Sequence, residues 1–525
     1  MYFAKNPILP GFRPDPSICR VGEDYYLATS SFAYFPGVPI YHSRDLANWE
    51  QTGHALTRES QLPLEGAGHS AGIYAPTLRY CRGRFYMITT NISHGGNFIV
   101  TAEKPEGPWS EPYYLGEEAQ GIDPSLFFDE EEDGSVHCYY VGTRPNHRHE
   151  THYNGDWEIW MQELNLETMK LIGEGKRIWK GAMHHVIWPE GPHLYKKDGY
   201  YYLMNAEGGT GANHCVTISR SRSVWGPYEG NPNNPILTHR HLGKNYPVTA
   251  VGHGDLVEDG MGNWYMVMLG SRKCEGFVNT GRDTFLAKVV WEEGWPVVNL
   301  GIGMLQEEVG LPGEPFELPP KSQVYHFYEK ALPEEFLTLR RSLQKKAELF
   351  EREGYLRLPV LPETLWERTC PAYVAVRQKE YDYLVSAGME FSPWGEGEEA
   401  GLAVLCDEKH QLRFTKMYRE GKKEMTLVRR LHGQEEILGV REVADGFLTL
   451  KIRGKGQKTD FYYQVSGRTE QLLAADVDMT GLSTEKAGGF TGCTIGMYAS
   501  ANGRESGNYA DFAWFALEEG GQYRL

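Results

Sequence analysis

Trp188-Pro189-Glu190-Gly191-Pro192-His193-Leu194-Tyr195 runs into Lys196-Lys197-Asp198-Gly199 and then Tyr200-Tyr201-Tyr202-Leu203-Met204. A short apolar run, a polar turn closed by glycine and an aromatic-rich run spell a β-hairpin. A carboxylate, Glu190, sits where the first strand begins. The pattern recurs at Asp15-Pro16-Ser17-Ile18, Ala75-Pro76-Thr77-Leu78, Asp123-Pro124-Ser125-Leu126 and His253-Gly254-Asp255-Leu256, each followed by a Gly-containing turn and a second aromatic-rich run. Five hairpins at intervals of about 50–65 residues are what radial repetition looks like in a sequence. Each interval has room for about four short strands. Later aromatic segments, such as those around Trp49, Trp109 and Trp225, suit outer strands. The spacing predicts an all-β, five-bladed β-propeller over residues 1–305; the alternative is a large open sheet.

Residues 306–322 carry four prolines and read as a linker or an extended segment crossing a surface. Beyond them the pattern changes. A short helix is expected within Leu332–Leu343, followed by runs of period-two alternation with turns every 8–12 residues. That is the signature of a β-sandwich, jelly-roll or lectin-like, over residues 323–525.

Composition narrows the partners. The chain has 525 residues, enough for more than one core, and a formal charge of −17. So acidic a surface disfavours nucleic acid and anionic membrane and leaves a neutral ligand unopposed. Self-association into a homo-oligomer is left open. The eight cysteines show no Cys-x-x-Cys pair or metal-type spacing, and no stretch reads as a secretory leader or a membrane span. A cytoplasmic location is expected.

A propeller brings the starts of its innermost strands together around one axis. Asp15, Asp123 and Glu190 therefore converge on one pole, joined by Tyr74-Ala75 and His253. Carboxylates held together repel, which drives their pKa values apart and lets one serve as acid and another as base. Taken singly, each acid also fits a turn cap or a surface position.

Gly11-Phe12-Arg13-Pro14-Asp15-Pro16-Ser17, Gly121-Ile122-Asp123-Pro124-Ser125-Leu126 and Pro189-Glu190-Gly191-Pro192-His193 resemble the three acid motifs of family 43 glycoside hydrolases. Ser30–Gly37, Ala206–Gly211, Gly252–Leu256, Gly281-Arg282-Asp283-Thr284 and the sandwich ending Ala510-Asp511-Phe512 resemble that family's two-domain β-xylosidase and α-L-arabinofuranosidase branch. The resemblance implies an inverting, exo-acting hydrolase that releases terminal pentoses from short xylo- or arabino-oligosaccharides. Asp15 would be the general base, Glu190 the general acid, and Asp123 the carboxylate that tunes and orients Glu190.

The resemblance further implies Arg282 on the sugar hydroxyls and Phe32 and Tyr74 lining the sugar pocket. Phe490 reads first as sandwich core and second as a residue reaching over the mouth. No cofactor is required; a hydrated calcium held by His253 at the axis is the metal the resemblance allows. His184-His185 and the group His147, His149 and His152 resemble metal ligands by type and solvated rim residues by context. Two positions depart from the β-xylosidases, which usually carry Trp at the place of Tyr74 and Glu at that of Asp283, so xyloside against arabinofuranoside preference stays open. Two other functions fit the same strands: a non-catalytic carbohydrate-binding propeller, and a retaining enzyme like the five-bladed fructan hydrolases.

Overall fold

Five four-stranded antiparallel sheets follow one another along the first part of the chain, four of them built from consecutive strands and the first skipping the short strand Tyr34–Phe35. Their first strands are Ser17–Val21, Thr77–Cys81, Ile122–Glu130, Glu190–Lys197 and Val248–Glu258. Each of these packs beside the first strand of the next sheet, and the fifth returns to the first, closing a propeller-type ring. The structure is a computed structural model that describes residues 1–146, 151–319 and 323–520.

Hydrophobic cores fill the wedges between adjacent sheets. One joins Leu78, Met87 and Val100 to Ile40 and Ala55; another joins Met204 and Ile218 to Met266 and Phe285. Every sheet has a neighbour on each side, so its strands bury apolar residues on both faces. Trp109 and Trp225 lie in the turns that precede the outermost strands rather than on those strands.

The ring is clasped where its ends meet. Tyr2–Lys5 pairs antiparallel with Glu308–Leu311, so part of the proline-rich segment expected as a linker is a strand of the first region's closure. The helix expected within 332–343 is absent. Thr338–Leu339 instead forms a two-residue strand against Tyr34–Phe35 of the ring, and the nearest helical turn is a 3₁₀ turn at Leu343–Lys345. Pairing across the two regions overrides local helical preference there.

The sandwich packs a sheet containing Tyr383–Glu390, Leu448–Lys455 and Tyr509–Glu519 on one containing Ala372–Arg377, Glu399–Asp407 and Thr494–Ser500. Val385, Leu402, Leu450, Ile495 and Phe512 belong to the single core between them. Its loop at 488–493 lies on the ring: Ser70 Oγ accepts the Phe490 N–H at 3.0 Å, and Cys493 N–H donates to Asn279 O at 2.7 Å.

Candidate active site

Strand register decides which side chains face the axis. Ser17, Thr77, Ser125, His193 and Asp255 are the first regularly paired residues of the five inner strands. Two positions earlier stand Asp15, Ala75, Asp123, Gly191 and His253. Asp15, Asp123, Gly191 and His253 all have φ between +49° and +56°. This left-handed turn, uncommon for non-glycine residues, aims each side chain at the pole.

Glu190 therefore does not occupy the same position as Asp15 and Asp123. It stands one residue earlier, in the register of Tyr74 and Ile122, with a bulge between it and His193. Gly191 takes the left-handed place because a Cβ there would come within 2.8 Å of the His253 ring. The displaced register gives Asp123 a donor, the backbone N–H of Gly191, directly beside the acid.

Asp15, Asp123 and Glu190 line one cavity of about 270 Å³ together with Phe32, Tyr74, Ala75, Ile122, Trp188, Gly209, Thr210, His253, Arg282 and Phe490. That is below the ~300–1,000 Å³ of pockets for drug-sized ligands and on the scale of one sugar ring. All eight residues singled out from the sequence are in it. Phe490 belongs to the mouth as well as to the contact between regions: its ring lies 5.7 Å from Phe32 and 5.5 Å from Tyr74. Trp188, Gly209 and Thr210 were not anticipated, although Trp188 opens the hairpin that carries Glu190 and Gly209 sits in a glycine-rich run.

The three acids differ in what surrounds them. Burial would raise the Asp15 pKa, but the Arg282 guanidinium at 3.2 Å, His253 Nδ1 at 3.6 Å and the Ser30 hydroxyl at 2.5 Å hold it below the usual carboxylate value. Asp123 is pushed up to about 6, by burial and then by the charge of Asp15, against the opposing pull of His253. Glu190 is raised well above its ordinary value by burial, then by Asp123 and Asp15. The surroundings thus drive the proton affinities of Asp15 and Glu190 apart, Asp15 downward and Glu190 upward.

Arg282 also lies over the Phe490 ring at 4.8 Å, so one guanidinium ties Asp15 to the sandwich loop. Asp283, expected near the pocket, faces away from it. It is buried, binds Arg272 through both oxygens at 3.0 and 3.1 Å, and accepts the Gly11 N–H at 2.6 Å. Arg272 in turn reaches Glu380 of the sandwich at 3.0 Å. Asp283 thus fixes the loop that delivers Asp15 instead of touching a ligand.

Calcium favours six to eight oxygen ligands, so an ion beside His253 would draw most of its ligands from water. Among the described residues no group of three or more His, Cys, Asp or Glu side chains could hold a metal ion. Asp255, two residues beyond His253 on the same strand, is already engaged by Arg79, Ser17 and Tyr195. His184 and His185 stack on each other in an exposed loop, and His152 bonds Asp156. His147 and His149 lie outside the described residues.

Residues 4–296 match the model for glycosyl hydrolases family 43, and residues 324–518 match that for the β-xylosidase C-terminal Concanavalin A-like domain. The chain belongs to glycoside hydrolase family 43. It is 51% identical to a xylosidase/arabinosidase of Butyrivibrio fibrisolvens, over 99% of this chain and all of that one. It is 37% identical to a non-reducing end α-L-arabinofuranosidase of Bacteroides ovatus, over 97% of this chain and 94% of the relative. The crystal structure of a xylan β-1,4-xylosidase from Bacillus halodurans C-125 superposes with a TM-score of 0.89 at 36% identity, covering 98% of this chain and 100% of that one. This family 43 enzyme is therefore a glycoside hydrolase with a propeller fold and a Concanavalin A-like second region. Neither a sugar-binding propeller without catalysis nor a fructan hydrolase is favoured by these relatives.

Proposed function

We propose that this hydrolase removes single pentoses, α-L-arabinofuranosyl or β-D-xylosyl, from the non-reducing ends of short oligosaccharides, with inversion at the anomeric carbon. The observation that carries it is the convergence of Asp15 and Glu190 on one ring-sized cavity whose surroundings lower the proton affinity of the first and raise that of the second. Asp15 takes a proton from a water as that water attacks the anomeric carbon, and Glu190 gives its proton to the departing oxygen. Asp123 keeps Glu190 protonated through charge repulsion and orients it through the shared Gly191 peptide. Arg282 keeps Asp15 ionised, and its remaining N–H groups suit ring hydroxyls. Phe32, Tyr74 and Phe490 supply the apolar wall.

We read the five sheets as five blades, with residues 1–305 as the catalytic region and 323–525 as the sandwich that closes one side of its mouth. A closed mouth supports attack on chain ends over internal bonds. The eight cysteines are all free thiols, in keeping with a reducing, cytoplasmic compartment.

The test is proton NMR of the first-formed sugar during hydrolysis of 4-nitrophenyl β-D-xyloside and α-L-arabinofuranoside, with initial rates side by side. Release of the inverted anomer is expected from either or both substrates. A retained anomer, or no turnover of either, overturns the proposal.

A further inference from the structure

Besides the cluster of Phe32, Tyr74 and Phe490, the cavity is lined by one further Phe, Tyr or Trp side chain, Trp188. It stands two residues before Glu190 and is held in a left-handed conformation, φ +46°. For a bulky aromatic residue this is a strained backbone, and the surroundings impose it. The Trp188 N–H donates to Gly155 O at 2.8 Å, the Gly208 N–H donates to Ile187 O at 3.0 Å, and Thr143 Oγ1 donates to Pro189 O at 2.5 Å. Two glycines make space for the indole. A Cβ on Gly155 would lie 3.1 Å from it and one on Gly209 2.8 Å, and both glycines have positive φ. The backbone is thus organised from three directions to hold an indole against the cavity beside the residue that protonates the leaving oxygen.

Resting on the pentosidase function proposed for the cavity, we infer that Trp188 is the platform of a leaving-group subsite. Its indole takes the apolar face of the neutral sugar ring on the far side of the bond that Glu190 cleaves. The aromatic cluster on the ring's first two sheets and the sandwich loop encloses the terminal pentose, whose anomeric carbon is attacked, beside Asp15 and Arg282. Trp188 adjoins Glu190, and the next sugar must pass Glu190 on its way out. Thr210, exposed at the rim of the same cavity, is the hydroxyl available to that ring. Trp188 acts on substrate position, with no part in proton transfer.

The test compares two leaving groups. Kinetics of the full-length wild type, Trp188→Ala and Trp188→Phe are measured on xylobiose and arabinobiose, and on β-D-xylosyl and α-L-arabinofuranosyl fluorides. Fluoride is too small to touch an indole. Trp188→Ala is expected to lower the disaccharide-to-fluoride ratio of kcat/KM about tenfold, mostly through KM, the size of one aromatic contact. Trp188→Phe should recover part of the ratio. A ratio unchanged in Trp188→Ala, with disaccharide and fluoride falling together or neither falling, overturns the subsite and leaves Trp188 a structural wedge. A wild type inactive on all four substrates overturns the pentosidase function itself.

Discussion

Asp123 and Asp255 are both buried carboxylates on inner strands of one ring, and their proton affinities move in opposite directions. Around Asp255, Arg79 makes a two-point ion pair at 2.8 and 3.0 Å, the Ser17 and Tyr195 hydroxyls donate at 2.8 and 2.6 Å, and the Ile18 N–H donates at 3.0 Å. Burial opposes its charge, yet Arg79 and the other donors hold its pKa far below the usual range. Asp123 meets the same burial with one backbone donor, His253 and two other acids, and is pushed up to about 6. Burial alone decides neither case; the neighbours do. Asp255 is satisfied by its donors within the ring, and the three acids at the pole are left to repel one another, which is the condition for acid–base work.

The comparison yields predictions of decreasing size. Glu190→Gln removes the proton donor and should lower kcat on oligosaccharides by about 10²–10⁴-fold, the usual span for a general acid; stopped assays of released pentose would measure it. Retained turnover would move the acid to another residue. Asp255→Asn leaves the Arg79 guanidinium buried without its counter-charge and should cost about 3–5 kcal/mol of stability, seen in urea unfolding. Little change there would mean that the axis is not held by this pair.

Asp123→Asn has two signatures. The folded pKa of Asp123 lies above the ordinary 3.8, so the folded chain holds the proton more tightly than the unfolded one. That burden on stability is absent below about pH 4, grows as pH rises, and is complete above the folded value. The variant should therefore melt higher than wild type at pH 7 and equally at pH 4, while its activity falls. A lower melting temperature at pH 7 would assign Asp123 a structural role like that of Asp255. Phe490→Ala, the mildest change, removes one aromatic face and should raise KM roughly 3–10-fold with kcat less affected.

Much of this was legible in the sequence because the ring repeats its hairpin and the acids stand at its start. Asp15 and Asp123 could be paired by their shared Asp-Pro-Ser pattern. Glu190 could be assigned to the pole, and its one-residue offset is written in the prolines: Pro16 and Pro124 directly follow their acids, whereas Pro192 follows Glu190 by two. Asp283 drew attention because the resembling β-xylosidases usually carry Glu there, yet it turns away from the cavity that Arg282 lines and binds Arg272. The strand at Thr338–Leu339 and the position of Phe490 were hidden for a different reason. Both depend on contacts between distant parts of the chain, such as Phe490 with Ser70, which no local pattern encodes. Trp188 stood in plain view, and only its cradle of Gly155 and Gly209 reveals what it faces.

The most direct test of the central claim, that Asp15 is held ionised and Glu190 protonated in the same cavity, is the pH dependence of kcat/KM. It should be recorded for wild type and Glu190→Gln on a pentoside whose 2,4-dinitrophenyl leaving group needs no proton. Wild type on the unactivated disaccharide should give a bell, with Asp15 setting the acidic limb and Glu190 the basic one. Glu190→Gln on the activated substrate should keep the acidic limb and lose the basic one. A basic limb that survives in Glu190→Gln, or an acidic limb that vanishes with it, would contradict the assignment.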